Sequence, residues 1–225
     1  MNQPERMNQP GRRNRVALPW AGLVSLVAAA ALATWLLSPA APPLALLQTW
    51  YLGRAAGLVA LALLWLSVTL GLMQSSGLLG GLTGPAANVD VHAFAALLSL
   101  YATTFHAWIL LWDRFVTFEW TELALPFTAA YEPVLLGLGT LAFYGALGAV
   151  VTTYLRGWMG PRAWRLLHQA SLIALVFGLV HGYLLGPDTT LAAVRFFYYF
   201  AGWSTGLLLA YRVAGGIVRR ARTAG

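Results

Sequence analysis

The sequence predicts an all-α membrane protein, a polytopic six-helix bundle. Hydrophobic residues make up 59% of the 225-residue chain and charged residues only 9%, whereas roughly a quarter of the residues in a soluble domain are charged. Long charge-free stretches recur along the chain, and clusters of proline and glycine separate them. Because one helix needs about 20 apolar residues to cross a bilayer, this pattern indicates repeated membrane crossings.

Five uninterrupted charge-free stretches are each long enough for one crossing. They run over residues 16–53, 55–89, 91–112, 133–155 and 166–187. From them we predict the first five crossings at 17–37, 55–74, 91–112, 134–155 and 164–185. A sixth, at 191–212, carries Arg195 near its start, where a long side chain can reach the headgroups. The helical domain therefore spans 16–212, between basic tails at 1–15 and 213–225.

The distribution of arginine predicts the orientation of the bundle. The chain has no lysine, and eleven of its fourteen cations fall on one side of a six-crossing topology. These eleven are Arg6, Arg12, Arg13, Arg15, Arg156, Arg162, Arg165, Arg212, Arg219, Arg220 and Arg222. Because positive residues favour the cytoplasmic side, we expect a multi-pass protein of a bacterial-type inner membrane with both termini in the cytoplasm. Topology then accounts for the basic clusters, and nucleic acid is not an expected partner.

The first crossing has a second interpretation, as a cleaved signal peptide. An arginine-rich start, including "GRRNR" at 11–15, precedes an apolar run and small residues. The run is long for a signal peptide, and its loss would leave the other five crossings intact.

Histidine is the residue type that suggests a chemical function. The chain has no cysteine, which excludes disulfides and thiolate metal sites. Its four histidines all lie in predicted crossings: His92 and His106 in the third, and His168 and His181 in the fifth. At 1.5 Å per residue the partners lie about 21 Å and about 20 Å apart along their helices. Each of these two helices thus carries one imidazole near each face of the bilayer.

Both helices run outward from the cytoplasm, so the histidines pair by depth. We call His92 and His168 the inner pair, and His106 and His181 the outer pair. Two neutral imidazoles on opposite sides of a macrocycle are the ligands of six-coordinate haem iron, so the pattern predicts two stacked b-type haems between the third and fifth helices. Two other interpretations stay open: histidines that only hydrogen-bond between helices, and a zinc or copper path, which would favour carboxylates that the helix interiors lack.

Helix geometry fits the third crossing better than the fifth. At 100° per residue, a spacing of 14 brings His106 to within about 40° of the face of His92, whereas a spacing of 13 leaves His181 about 140° from His168. The fifth helix must therefore be distorted, and Gly178 is a candidate position for the distortion.

The histidine spacing resembles that of a known family. Thirteen residues separate the first pair along the chain and twelve the second, which is the haem-ligand pattern of the ferric reductase-like transmembrane domain of ferric reductases and NADPH oxidases. The resemblance covers about residues 50–212 and includes "LGRAAGLVALALLWLSVTLGL" at 52–72. It implies that His92 and His168 ligate an inner haem iron and that His106 and His181 ligate an outer one.

Haem propionates need cationic partners near the membrane surface. Arg165, three residues before His168, is the first inner candidate and Arg162 the second, while Arg54 is the outer candidate for a propionate or another anion. We interpret the tryptophans and the "FFYY" run at 196–199 as interfacial or haem-packing residues, and the acidic loop at 113–132 as solvated. No catalytic residue is predicted.

The predicted function is di-haem electron transfer across the membrane, from a cytoplasmic-side or membrane donor to an external acceptor. The donor would be a separate flavoprotein or a quinone, and the acceptor oxygen, an Fe(III) chelate or a periplasmic reductase. The chain shows no Gly-rich nucleotide fingerprint, so we expect no flavin or nicotinamide site and no self-sufficient oxidation of NADPH. The alternatives are a haem-binding membrane subunit of the methionine sulfoxide reductase type and a non-catalytic binding or sensor module.

Overall fold

A computed structural model of the chain describes residues 45–79, 85–113 and 115–224, and all the regular secondary structure of this part is helical. We number its α-helices from Ala45. They are α1 (Ala45–Ser76), α2 (Pro85–Leu110), α3 (Trp120–Ala124), α4 (Pro133–Tyr154), α5 (Arg156–His168), α6 (Ala170–Leu185) and α7 (Ala192–Ala224). A 3-10 helix, Pro187–Thr190, joins α6 to α7. The predicted all-α class is confirmed for the described residues.

Four helical segments of the described part are long and apolar enough to cross a membrane. They are Thr49–Ser76, Asn88–Leu110, Pro133–Tyr154 and Arg156–Leu185. The last of these is kinked at Gly160, where the backbone is not helical. The chain is therefore a multi-pass membrane protein by length and composition. These segments correspond to the second to fifth predicted crossings, whereas the first crossing, 17–37, and the basic tail before it lie outside the described residues.

The helices differ in length from the predicted crossings. Helix α1 begins ten residues before the predicted start at residue 55, and α7 continues twelve residues beyond the predicted end at 212, through the segment predicted as a tail. The apolar pattern locates the part of a helix that meets lipid, but the backbone hydrogen bonds of a helix can continue into the headgroup region and beyond. The sixth predicted crossing thus forms a helix, although it is not one of the four spans above.

The distortion in the fifth crossing lies next to His168 and not at Gly178, as the sequence suggested. Helix α5 ends at His168, and Gln169 has ψ near −12° before α6 begins. There the amide of Leu172 donates to the carbonyl of Gln169 at 3.0 Å, a three-residue step that turns the chain about 20° more per residue than an α-helix does. Gly178 lies inside the continuous helix α6, where a Cβ would come within 3.3 Å of Leu61 on α1.

Two antiparallel helix pairs support the histidines. Helix α1 packs against α2, and α4 packs against α6, while α7 packs along α1 and the end of α6. A buried cluster joins α1, α6 and α7, and it consists of Leu61, Val68, Leu72, Leu175 and Tyr198. Trp65 on α1 donates its indole N–H to the hydroxyl of Ser204 on α7 at 3.0 Å. Helices α2 and α4 each start with a proline, a residue that suits the first turn of a helix.

Candidate functional site

The structure brings the four histidines together as two pairs. The ring centroids of His92 and His168 lie 6.0 Å apart. His106 and His181 both line one cavity of about 520 Å³. Each pair takes one histidine from α2 and one from the α5–α6 segment. Among the described residues, no group of three or more histidine, aspartate or glutamate side chains could hold a metal ion, so two imidazoles are what each pair offers.

Every histidine directs its Nδ1 atom at a backbone carbonyl of a neighbouring helix. The distances from Nδ1 to the carbonyl oxygen are 2.8 Å for His92, 2.7 Å for His106, 2.8 Å for His181 and 3.3 Å for His168. Because a carbonyl can only accept, the hydrogen-bonded Nδ1 carries the proton. The neutral ring then has its free lone pair on Nε2, the arrangement in which a histidine is oriented to bind a metal.

The accepting carbonyls repeat along the two supporting helices. On α1 they belong to Gly53 and Ser67, and on α4 to Leu135 and Ala149, so the spacing is fourteen residues in both helices. Since the partners run antiparallel, Gly53 supports the outer histidine of α2 and Ser67 the inner one. Helix α1 therefore supports the two imidazoles of α2 at the same spacing as α4 supports those of α5–α6.

Glycines on the supporting helices make room for the imidazoles. Three of the four histidines face a glycine four residues after the accepting carbonyl, and these are Gly57, Gly71 and Gly139. A Cβ on them would lie 3.0 Å from His106, 3.2 Å from His92 and 2.8 Å from His181. Carbon atoms pack at about 3.5–4.0 Å, so a side chain there would displace the ring. The fourth position, opposite His168, is Thr153.

Each level meets one requirement of a bis-histidine haem site, the inner pair by its ring separation and the outer pair by its cavity. With metal–nitrogen bonds of about 2 Å, two imidazoles on opposite sides of one ion have ring centroids about 6 Å apart, and the inner pair matches this separation. The outer cavity has a volume within the usual 300–1,000 Å³ of small-molecule sites. Its walls are mainly apolar and aromatic side chains, such as Leu61, Phe143 and Tyr198, which suits a flat, largely apolar macrocycle.

Arg54 reaches the outer cavity, but its charge is already paired. Its Nε donates to Oδ2 of Asp188 at 2.7 Å, and a second guanidinium nitrogen forms an ion pair with Oδ1. The guanidinium also lies over the rings of Trp50 and Tyr51. Arg54 and Asp188 both line the cavity. The sequence alone indicates Arg54 but not Asp188, whose only signal is its place in the "GPDTT" turn.

The inner arginine candidates lie on the exposed surface of α5. Arg165 and Arg162 are both exposed. A different arginine is connected to the histidine, because Arg156 lies over the ring of Trp164 at 5.3 Å, and Trp164 stacks on His168 with centroids 5.1 Å apart. In the sequence, the orientation of the bundle is the only role that the pattern predicts for Arg156.

Tyr198, from the "FFYY" run, is one of the residues that line the outer cavity. Its side chain is 7% exposed and lines the outer cavity together with the outer pair. Its hydroxyl lies so close to Gly182, the neighbour of His181, that residue 182 has no room for a Cβ. The sequence predicts an interfacial or haem-packing position for the aromatic run that contains Tyr198.

The outer loop is organised by Glu122. Its carboxylate accepts the backbone N–H of Glu119 at 3.0 Å and that of Ala130 at 2.9 Å. These two hydrogen bonds, that of Glu119 first, hold the pKa of Glu122 below its ordinary value. The acidic loop is thus held in shape by a carboxylate in the first turn of helix α3.

Comparison with known proteins identifies no family for this chain. No protein-family model, no curated protein and no solved structure matches this chain. The resemblance to the ferric reductase-like transmembrane domain therefore stays a prediction that depends on the histidine pattern.

Proposed function

We propose that this protein transfers electrons across a membrane on two b-type haems, as a ferric reductase-like membrane module. The observation that carries the proposal is the common hydrogen bonding of the four histidines. All four direct Nδ1 at a carbonyl of a supporting helix, and they come in two pairs. Histidines that only joined helices would need no partner imidazole at the same level and no cavity between them.

The chain's own residues would perform three tasks. The imidazoles would hold the iron through Nε2, and the carbonyls of α1 and α4 hold the tautomer and the ring orientation. The glycines permit the rings to lie against the supporting helices. When bound, haem supplies reversible one-electron chemistry at its iron. Because two imidazoles would hold each iron, an external acceptor would react at the cavity and not at the metal.

Partners follow from the two levels. The inner pair lies beside the exposed, arginine-bearing helix α5, where a cytoplasmic flavoprotein or a membrane quinone could approach. Arg54 and Asp188 are among the residues that line the outer cavity. The loop that contains Glu122 lies next to it. We assign oxygen, an Fe(III) chelate or a periplasmic reductase as the acceptor there. A reductase subunit of the methionine sulfoxide reductase type would use the same two haem sites.

Haem quantification tests this function directly. The protein, expressed with ample haem and purified in detergent, should show a reduced-minus-oxidised spectrum of low-spin b-type haem and about two haems per chain. Reduced protein should then be reoxidised rapidly by oxygen or an Fe(III) chelate. A protein that purifies folded without haem would refute the proposal, and one that keeps haem but reacts with none of these acceptors would be a sensor or scaffold.

A further inference from the structure

One of the four histidine sites differs from the other three. Opposite His168 the supporting helix carries Thr153 where the other sites have glycine. The Thr153 hydroxyl donates to the carbonyl of Ala149 at 2.9 Å, and this is the same carbonyl that faces Nδ1 of His168. The histidine and the threonine therefore share one acceptor.

Sharing an acceptor weakens the hydrogen bond of the histidine. A carbonyl oxygen has two lone pairs, and that of Ala149 also lies 3.2 Å from the hydroxyl of Thr152. The distance from His168 Nδ1 is 3.3 Å, against 2.7–2.8 Å at the other three sites. N–H···O bonds have their usual range at about 2.7–3.2 Å, so His168 has the weakest anchor.

The other hydroxyl near a histidine does not compete in this way. Ser67 provides the carbonyl that accepts from His92 at 2.8 Å. Its hydroxyl lies 3.1 Å from Nδ1 of His92 and donates at 3.1 Å to the carbonyl of His92 itself. The acceptor for Nδ1 stays free of that donor. A hydroxyl beside the imidazole is thus not sufficient to lengthen the Nδ1–H···O=C bond. The longer bond is found where a hydroxyl also donates to the accepting carbonyl.

We propose that Thr153 is a positioning residue that weakens the hydrogen bond of His168 and thereby raises the reduction potential of the inner haem. This inference rests on the proposed function. A strong Nδ1–H···O=C bond makes an imidazole a more basic ligand, and a more basic ligand favours ferric over ferrous iron. A weaker bond at His168 makes the inner haem easier to reduce, which suits the haem that receives the electron from the donor.

Redox titration of Thr153→Val tests the proposal, because valine keeps the branched shape and removes the hydroxyl. We expect the ferric-to-ferrous ratio of the inner haem at a fixed potential to rise about tenfold, which is about 59 mV for a one-electron couple. Thr153→Ser, which restores the hydroxyl, should behave as the unaltered protein. Thr104→Val is the matched control, since Thr104 donates to the carbonyl of Leu100 at 2.8 Å on the histidine-bearing helix α2.

A second measurement needs no haem. In the haem-free protein labelled with 15N-histidine, the Nδ1–H proton of His168 should move downfield in Thr153→Val as its hydrogen bond shortens, and that of His92 should not move. An unchanged His168 resonance, or an inner haem ratio altered less than about twofold, would overturn the role of Thr153. A wild-type protein that binds no haem would refute the proposed function, and the His168 resonance would then decide the hydrogen-bond argument alone.

Discussion

Replacement of Gly139 by alanine should disrupt the outer pair specifically. A Cβ at this position would lie 2.8 Å from Cε1 and Nδ1 of His181, whereas carbon contacts need about 3.5–4.0 Å. The ring must therefore move away from α4 by about 0.7–1.2 Å. The distance from Nδ1 of His181 to the carbonyl oxygen of Leu135 is 2.8 Å in the structure. The displacement would lengthen it to about 3.5 Å or more, which is beyond a normal hydrogen bond.

The size of the effect follows from two costs. Overpacking a close contact costs about 1–3 kcal/mol, and a lost hydrogen bond costs about 0.5–1.5 kcal/mol. Gly148→Ala on the same helix is the matched control, since a Cβ there meets nothing within 4 Å. The helix propensity gained from alanine is common to both variants, so it cancels. We expect Gly139→Ala to be less stable than Gly148→Ala by about 1.5–4.5 kcal/mol.

Unfolding and haem content are measured on both variants in one detergent. Tryptophan fluorescence follows unfolding, and haem is quantified per chain before it begins. Gly139→Ala should lose haem toward about one per chain, whereas Gly148→Ala should keep the full content. Equal stability and equal haem content in the two variants would refute the placement of His181 against α4.

Three further predictions concern the pairs and the outer loop. His106→Ala should remove the outer haem and leave the inner one, visible as half the difference spectrum, while retention of both haems would contradict the pairing with His181. Asp188→Asn should destabilise the protein by about 1–3 kcal/mol because it leaves the half-buried guanidinium of Arg54 without its counter-charge, and a double-mutant cycle with Arg54→Gln that shows no coupling energy would contradict the ion pair. The lowered pKa of Glu122 means that its contribution to the loop is complete above the ordinary glutamate pKa and is lost as the pH falls through the lowered value. Near neutral pH, Glu122→Gln should therefore speed hydrogen exchange at the backbone amides of Glu119 and Ala130, which donate to the carboxylate. Unchanged exchange would show that the loop does not depend on this side chain.

The sequence by itself determined that the protein is an all-α membrane protein and that its two histidine-bearing segments carry their histidines at matching depths. Charge-free stretches located the helices Pro133–Tyr154 and Asn88–Leu110 to within a few residues, because the bilayer imposes a length and an apolar composition that can be read locally. The spacings of the histidines along α2 and α5–α6 placed His92 with His168 and His106 with His181, since rise per residue converts spacing into depth.

The tertiary structure decided how each histidine is held. The carbonyls of Gly53 and Leu135 that accept from the outer pair carry no sequence signature, because every residue has a backbone carbonyl. The pairing of Arg54 with Asp188 joins residues 134 positions apart, a contact that no local period encodes. The break at Gln169 likewise reflects what α5–α6 must do to present His168 and His181 to the same supporting helix, α4. Periodicity describes one helix at a time, whereas these features arise from packing between helices.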